Sequence, residues 1–545
     1  MKRIFTILGL AALTLVAAPR ASAQDFGGTT FNNEILTWSD LYNLSFTAHN
    51  YGTARSMGMG NAFTALGADL TSATLNPAGI GMYVDNDISI SPMMQFTKME
   101  TANSEPYEGA FKDHTERFGM SSIGGVATVY RGTGALTNLN FGFVYNRIAD
   151  FNYNSLSASI ANPAHESMAN FLCTLSNTDG LQTNSDGTMN FGNDPYYWGP
   201  VLAYKNYITN KDDQGWYIDC ISPDAEIDQY SATKVRGSIG EYDISLGMNF
   251  VDVVYVGVSL GIQSLSYKRD VFYGENYMYP NGYPSAEEMP YQLDYMNYAQ
   301  RTRLSGTGIN LKLGITLRPV SWWRFGVAYH TPTCYSVAMR YGADMWSETY
   351  NAVSEEYEYS NVGTPVWEDA GPNSWNYRTP SRLLLGTAFT LANRVIVSAD
   401  YERSWYQSTR LQSSPIYGLS YTDINREVFK GSNTVRVGAE AYLLPGMAVR
   451  VGYIWSGSTL RKGLEDIVTT HRMPKEQSFV TAGLGFRFGP SVYLDLAYQY
   501  NRTHYTGHQT FYYDNFQDDE LDFGSRVFED TLDRHIAVVT LGFRF

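Results

Sequence analysis

The chain carries few residues whose type and spacing indicate catalysis or metal binding. One acidic cluster near the C-terminus could hold Ca²⁺, but its spacing matches no defined calcium loop, so a solvated loop face is the stronger alternative. The cluster consists of Asp514, Asp518, Asp519, Glu520 and Asp522. Cys173, Cys220 and Cys334 have neither a metal spacing nor a disulfide framework, and whether Cys173 and Cys220 pair stays open.

The histidines give no stronger indication. His330 and His471 could ligate haem iron, but they form no motif, and a hydrogen-bonded surface histidine is the simpler interpretation. His504 and His535 stand in no pattern with Ser or Asp that would suggest an activated nucleophile. No catalytic residue, metal or cofactor is therefore predicted, and the chain is not expected to be an enzyme.

The elements that must position any site are strands, because period-2 alternation recurs from Asp87 to the end of the chain. About fourteen segments show it, an even number, as closed antiparallel membrane barrels have. The predicted strands are Asp87–Lys98, Gly119–Tyr130, Asn138–Ile148, Ala232–Phe250, Val253–Lys268, Arg301–Arg318, Trp322–Arg340, Tyr377–Leu391, Arg394–Gln407, Thr434–Leu443, Met447–Trp455, Ser478–Phe488, Val492–Asn501 and His535–Phe545.

The connections between these strands alternate strictly between short and long. Val251–Asp252 and Ala392–Asn393 are turns, whereas 149–231 and 502–534 are long loops. A soluble β-sandwich would not sort its loops by parity. The sequence therefore predicts an all-β, 14-stranded antiparallel transmembrane barrel with both termini on the short-turn, periplasmic side.

The two faces of the predicted strands differ in polarity. One face is aliphatic and aromatic, as hydrocarbon requires, and the other is polar with small residues. Five inward arginines lie near the turn side and allow two interpretations: they line a wet lumen and pair with carboxylates, or they form a collar that holds a plug. These are Arg318, Arg324, Arg450, Arg487 and Arg544.

The plug itself is predicted in the Gly-, Ala- and Ser-rich stretch from Tyr51 to Met82, which has no alternation. A barrel of about fourteen strands leaves a passage that needs filling, since eight strands fill their lumen and 16 to 18 leave it open. The alternative is an ordinary N-terminal loop. The residues predicted to gate the lumen or contact ligand are Gly58, Gly60, Asn61, Asn76, Pro77, Ala78 and Gly79.

The remaining sequence sets the domain boundaries. A short basic start, an apolar run and Ala21–Ala23 predict a signal peptide over 1–23, which leaves 24–86 as the plug region and 87–545 as the barrel with its long loops. The net charge of -15 argues against a nucleic-acid partner. A capped helix is expected at Pro163–Leu175 inside the long loop 149–231.

Several of these stretches resemble the FadL-type outer-membrane transporter family. The resemblance lies in Gly52–Ala62, in Asp69 and in Asn76–Gly79, with weaker matches at Trp323–Pro332 and Val435–Glu440. It implies a 14-stranded barrel with a small N-terminal hatch around Asn76, Pro77 and Ala78. It also implies capture of a hydrophobic compound by extracellular loops, passage through a lumenal pocket and no catalysis.

Three functions follow as expectations from the sequence and the resemblance. The first is passive uptake of hydrophobic small molecules, long-chain fatty acid-like, across the outer membrane of a Gram-negative bacterium. The alternative is an outer-membrane surface-binding protein, for haem or for host or cell adhesion, without transport; an enzyme ranks last. Expected partners are the hydrophobic ligand, outer-membrane lipid and lipopolysaccharide, and the chain is expected to be a monomer.

Overall fold

The computed structural model describes most of the chain. The described residues are 30–31, 38–45, 51–103, 109–181, 189–191, 198–365, 367–369, 375–412, 426, 428–464, 472–513 and 523–545. The predicted signal peptide lies outside the described residues. Among the helices that the structure describes, none has the length and apolar character that crossing a bilayer requires.

Strands dominate the described residues. In chain order they are β1 (Thr30–Phe31), β2 (Asp87–Asn103), β3 (Ala110–Arg131), β4 (Leu136–Asp150), β5 (Tyr153–Pro163), β6 (Thr209–Lys211), β7 (Tyr217–Asp219), β8 (Glu226–Phe250), β9 (Val254–Met278), β10 (Tyr291–Val320), β11 (Trp323–His330), β12 (Cys334–Asn351), β13 (Glu356–Gly363), β14 (Trp367–Asp369), β15 (Trp375–Arg378), β16 (Arg382–Leu391), β17 (Val395–Ser404), β18 (Arg410–Gln412), β19 (Ser432–Leu444), β20 (Met447–Ser456), β21 (Pro474–Phe488), β22 (Val492–Tyr505), β23 (Phe511–Tyr513), β24 (Phe523–Gly524) and β25 (Phe528–Arg544).

These strands close into an antiparallel barrel, as predicted. Around the circumference there are fourteen segments, here called staves, because β4 continues into β5, β11 into β12 and β17 into β18, and β13, β14, β15 and β16 follow one another along a single stave. The last strand pairs with the first, with Leu541 opposite Ile90, so every stave has two neighbours. Closure satisfies the backbone of all staves, which an open sheet in hydrocarbon cannot do.

Two predicted strands are interrupted, and proline explains both breaks. The sequence predicted one strand over Trp322–Arg340. The hydrogen-bonded ladder instead stops at His330 and resumes at Cys334, on either side of Pro332. Likewise Tyr377–Leu391 divides around Pro380. Proline has no N–H to donate to the ladder, so these stretches leave the regular pairing.

The two faces of the wall differ as the alternation predicted. Outward aliphatic side chains such as Ile309 and Val451 are 54% and 60% exposed, whereas the inward Lys312 and Arg436 are 1% and 0% exposed. The outside therefore suits hydrocarbon, and the inside holds buried polar groups.

The helices lie inside or above the barrel. They are α1 (Trp38–Ser45), α2 (Ala54–Gly58), α3 (Ser72–Leu75), α4 (Met168–Asp179) and α5 (Trp198–Lys205), with short 3-10 turns at Pro77–Met82, Ala164–Glu166 and Tyr406–Ser408. The helix expected at Pro163–Leu175 begins later than predicted. Ser167 caps it by accepting from the Ala169 N–H, and Pro163 ends β5 instead. The start of a helix is determined by the residue that caps it rather than by the nearest proline.

The long loop 149–231 folds over the mouth of the barrel. Its helices α4 and α5 contribute Phe171 and Trp198 to a large apolar cluster. The cluster also contains inward residues of the wall such as Tyr341. The lumen is therefore closed on the long-connection side.

The two ends of the described chain lie on opposite sides of the barrel. Phe545 is at the short-turn side, where Asn86 N–H donates to its carbonyl at 3.2 Å. The backbone of β1, however, pairs with β23, which belongs to a long connection. The first described strand thus lies on the long-connection side. Residues 1–29 lie outside the described residues, so the expectation that both termini are periplasmic stays a prediction.

Candidate functional site

Residues 51–83, here called the inner segment, fill the short-turn half of the lumen. Thr53 caps α2, and its hydroxyl donates to both oxygens of Asp69 at 2.9 and 2.8 Å. The Asn76 side chain accepts from Ala78 N–H at 3.1 Å and donates to Thr64 O at 2.6 Å. Short polar side chains thus supply hydrogen bonds to backbone groups of a segment that has little regular secondary structure.

The seven residues predicted for the gate all lie in this segment and are buried. Asn61 accepts from the Ser56 hydroxyl at 2.7 Å, and Gly60 has a left-handed φ of 61° where a Cβ would meet Tyr453 N at 3.1 Å. Gly79 crosses Gly67 so closely that a Cβ on Gly79 would lie 2.7 Å from the Gly67 Cα. The structure brings the seven together; their role in gating stays a prediction.

The wall meets the inner segment through its own glycines. A Cβ on Gly257 would lie 2.1 Å from Pro77 C, and one on Gly438 would lie 2.2 Å from Met59 O. We call the eight wall positions with such contacts the glycine ring. They are Gly247, Gly257, Gly314, Gly326, Gly386, Gly438, Gly452 and Gly483. Seven of the eight lie against backbone atoms of the inner segment, and Gly314 lies against the Asn76 side chain. At most of these positions the wall and the segment approach more closely than a Cβ would allow.

A buried ionic network ties the inner segment to one side of the wall. Arg55 donates to the Glu440 carboxylate through Nε at 3.1 Å and Nη2 at 3.0 Å. Arg450 Nε donates to the same carboxylate at 2.6 Å and its Nη1 to Asp495 at 2.6 Å. The two arginines and two carboxylates balance in charge, as buried ions require.

A second network holds the other side. Thr74 donates to Asp243 at 2.7 Å and accepts from Asn146 Nδ2 at 2.6 Å. Lys312 Nζ lies between Asp243 and Glu241 and binds both carboxylates. The inner segment is thus attached by polar side chains on opposite staves.

The five arginines of the predicted collar have different surroundings. Arg324 Nη1 donates to Leu66 O of the inner segment at 2.8 Å, and Arg450 reaches that segment through Glu440. Arg544 instead pairs with Asp87 at 2.8 Å, and Arg487 lies over the Tyr442 ring. Arg318 is half-buried at the turn rim. Both interpretations of the collar therefore apply, each to different members.

The other residues with possible chemistry have structural surroundings where the structure describes them. His330 is buried rather than on the surface; its Nε2 donates to Leu75 O at 2.8 Å and its Nδ1 accepts from Arg382 at 2.8 Å. Cys173 and Cys220 are buried free thiols. His471 and the acidic cluster from Asp514 to Asp522 lie outside the described residues, and no metal-binding group occurs among the described ones.

A chamber of about 70 Å³ lies on the long-connection side of the inner segment. Its barrel wall has an aromatic and aliphatic part, from residues such as Phe151, Phe479 and Ile536, and a polar part that includes Gln499 and Asn501. Three lining residues are not part of the barrel, namely Tyr42, Asn43 and Tyr51. The chamber is thus an amphipathic space with one wall that belongs to the N-terminal segment.

One cation in the chamber is uncompensated. Arg534 is an inward residue of β25, and its Nε is buried with no hydrogen-bond partner. The acidic lining residue, Asp150, is already paired with Arg117 at 3.2 Å and Arg147 at 3.5 Å, both from outside the lining. A space with an aromatic and aliphatic face and an unpaired guanidinium suits a ligand with an apolar body and an anionic group.

Helix α1 closes the chamber from above. Asp40 pairs with Arg269 at 2.7 Å and accepts from the Tyr267 hydroxyl, and Tyr42 stacks on Tyr406 with ring centroids 6.1 Å apart. The predicted plug region therefore has two described parts, the inner segment and α1.

The proline breaks create a groove in the barrel wall. It has a volume of about 1000 Å³, and its lining includes outward Ile309 and Tyr329 as well as Tyr335 and Tyr377, which are 2% and 1% exposed and face the lumen. One backbone hydrogen bond, from Thr331 N–H to Leu311 O at 2.9 Å, spans the gap in the ladder, and the Thr331 hydroxyl accepts from Leu311 N–H at 2.9 Å. The regular ladder is interrupted here.

Solved structures similar to this chain are outer-membrane barrels. The Pseudomonas putida toluene transporter TodX is 12% identical, over 92% of this chain and 98% of that chain, with a TM-score of 0.47. The Ralstonia pickettii toluene transporter TbuX is 13% identical, over 91% and 99%, with a TM-score of 0.47. A Pseudomonas aeruginosa FadL homologue is 12% identical, over 92% and 98%, with a TM-score of 0.47.

No family model matches the chain, and no curated protein matches it. The FadL homologue belongs to the family that residues 52–79 resemble. With TM-scores below 0.5 at this identity, substrate and mechanism rest on the geometry of this chain.

Sequence reasoning missed the glycine ring and Arg534. Alternation assigns the inward face of each strand, but nothing in one strand shows which inward glycine meets the inner segment. A signal was present, because glycine recurs on the inward face of successive predicted strands. Arg534 precedes the predicted start of its strand at His535, so its direction was not assigned.

Proposed function

We propose that this chain takes up hydrophobic small molecules across the bacterial outer membrane by passive passage, with its long connections outside the cell. The observation that carries the proposal is the chamber, a space with an aromatic and aliphatic face inside a closed barrel, bounded below by a segment that is not part of the wall. A general pore would not fill its lumen in this way. The proposal assigns no catalytic step.

Within that class, we propose a fatty acid-like ligand. The carboxylate binds Arg534 and the chain lies against Phe151, Phe479 and Ile536. A volume of about 70 Å³ is too small for a long chain, so the movable wall from α1 and Tyr51 must give way on binding. Barrel strands are fixed by two neighbours each, whereas this wall is held by side chains.

The groove at Pro332 provides an exit to the membrane. A hydrophobic ligand that leaves sideways stays in hydrocarbon and avoids an aqueous path through the glycine ring. The lining of the groove by residues of both faces supports this route.

The test compares laurate with dodecanol, which has the same chain without the charge. In purified protein, Arg534→Gln is expected to weaken laurate binding about ten- to a hundredfold, since a hydrogen bond to a charged group contributes about 1.5–3 kcal/mol. Dodecanol binding should not change. Arg502→Gln, an outward arginine on the adjacent strand β22, is the matched control.

Cells that depend on this protein for labelled laurate provide the second readout. Uptake should fall in Arg534→Gln and persist in Arg502→Gln. Binding of neither laurate nor dodecanol to the unaltered protein would contradict the proposal.

A further inference from the structure

Four neighbouring strands carry cations at aligned positions on the outside of the barrel. Arg236 of β8 is the Cα partner of Lys268 of β9, which is the partner of Arg303 of β10, which is the partner of Arg340 of β12. All four alternate with buried inward residues, so they point outward. We call them the cation row.

Within the row, Lys268 has cations on both sides and no carboxylate partner among the described residues. Like charges directly opposite in a sheet repel and destabilise it. Arg303 pairs with Asp270 at 2.5 Å, and Asp113 and Asp270 also act electrostatically on Arg236. The charge of Lys268 is thus the one left unpaired between its two neighbours.

Arg236 and Lys268 make no hydrogen bond to a carboxylate of the described residues. Arg236 donates to Tyr153 O at 2.9 Å and Asn154 Oδ1 at 2.6 Å, which carry no charge. Lys268, between Arg236 and Arg303, makes no hydrogen bond or ion pair within the described ranges of the chain.

On the opposite side of the barrel, two outward cations share one acid. Asp533 is the register partner of both Arg502 and Lys98. Arg502 Nε lies 2.8 Å from Asp533 Oδ1. The charges of these two cations are therefore met within the chain, whereas that of Lys268 is not.

The row lies just beyond the apolar part of the outer surface, toward the long connections. On β10 the outward aliphatic series ends at Ile309, and Thr307 and Ser305 separate it from Arg303. Six residues correspond to about 20 Å along the strand. With the tilt of membrane barrels, the row reaches the level of lipid headgroups.

We propose that the cation row binds the phosphate groups of lipopolysaccharide, with the acyl chains against the aliphatic surface below it. Arginine and lysine are the residues that bind phosphate best, and a row of them supplies the charge that several phosphates require. The inference rests on the orientation given under the proposed function, with the long connections outside. The bound glycolipid stands beside the wall groove, whose lining includes Ile309.

Native mass spectrometry of the full chain in detergent tests this with diphosphorylated lipid A. Lys268→Gln is expected to weaken lipid A binding about tenfold or more. Lys112→Gln, which removes an exposed outward lysine of β3 that pairs with Glu100 at 3.4 Å, should leave it unchanged. Dephosphorylated lipid A should bind weakly to all three proteins, and inorganic phosphate at the same phosphate concentration should not compete.

Thermal unfolding without lipid gives an independent check. Lys268→Glu restores alternating charge, so the variant should unfold at or above the temperature of the unaltered protein and yet lose lipid A binding. Unchanged binding in Lys268→Gln, equal binding of the dephosphorylated lipid, or competition by inorganic phosphate would overturn the inference. These outcomes are separate from the laurate measurements, so either proposal can fail alone.

Discussion

Gly257→Ala is expected to displace the inner segment from its seat in the wall. The added Cβ would lie 2.1 Å from Pro77 C, 2.2 Å from Pro77 O and 2.3 Å from Ala78 N. All three are backbone atoms, so no side chain can rotate away. The segment must retreat by more than about 1 Å, and overpacking of this kind costs about 1–3 kcal/mol.

Hydrogen–deuterium exchange of the purified protein measures the effect where it occurs. The strain acts on the inner segment rather than on the ladder, because each stave is held by two neighbours. A local cost of about 1–3 kcal/mol raises exchange by opening about 5- to 150-fold. The increase should appear in the peptide that covers Pro77–Met82 and not in peptides of the barrel strands.

Gly142→Ala is the matched control. Gly142 also faces inward beside the inner segment, but its Cβ would meet Val126 Cγ2 at 3.5 Å and Ile80 Cγ2 at 3.6 Å, which are ordinary contacts. Exchange in this variant should equal that of the unaltered protein. If Gly257→Ala leaves exchange unchanged, or if both variants raise it equally, the glycine ring does not seat the inner segment.

Three further predictions concern other parts of the molecule. Arg324→Gln should raise amide exchange around the carbonyl that it binds in the inner segment, whereas Arg487→Gln should not, as measured by the same method. At pH 7 a hydrophobic maleimide should label exposed Cys334 in the folded protein but not Cys173, because burial raises the pKa of the Cys173 thiol to about 12. Mass spectrometry identifies the labelled cysteine, and labelling of Cys173 before unfolding would contradict the prediction. Burial, reinforced by a neighbouring arginine, lowers the pKa of His508 to about 4. Because the unfolded chain then binds a proton at His508 more readily than the folded protein does, the free energy of unfolding should fall by up to about 3 kcal/mol between pH 6.5 and 4. Denaturant unfolding of His508→Gln should lack this part of the pH dependence.

Much of the barrel could be predicted from the sequence, because alternation and loop parity are local. In β20, Val449 and Val451 face outward and Arg450 inward, as a period of two requires. The breaks at Pro332 and Pro380 were not predicted, although proline gives the signal, because alternation continues on both sides of each break.

The site was harder to predict from the sequence, since its contacts join residues far apart in the chain. Arg55 meets Glu440 across 385 positions, and a composition rich in glycine does not reveal such a partner. Arg534 lies just outside its predicted strand, so the sequence did not indicate that its side chain faces the lumen. The gating residues, by contrast, could be located because Asn76 and Pro77 form a local turn motif.

The central claim is that ligand enters the chamber only when the wall formed by α1 and Tyr51 moves. Asp40 of α1 and Arg269 of β9 form an ion pair with 2.7 Å between Oδ2 and Nη1. The pair Asp40→Cys and Arg269→Cys therefore places two thiols where a reducible bis-methanethiosulfonate crosslinker can tether α1 to the barrel. The decisive measurement is uptake of labelled laurate by cells carrying this double variant, before and after reduction, with each single variant as control. The account predicts no uptake in the tethered protein and recovery on reduction; full uptake through the tethered protein would contradict it.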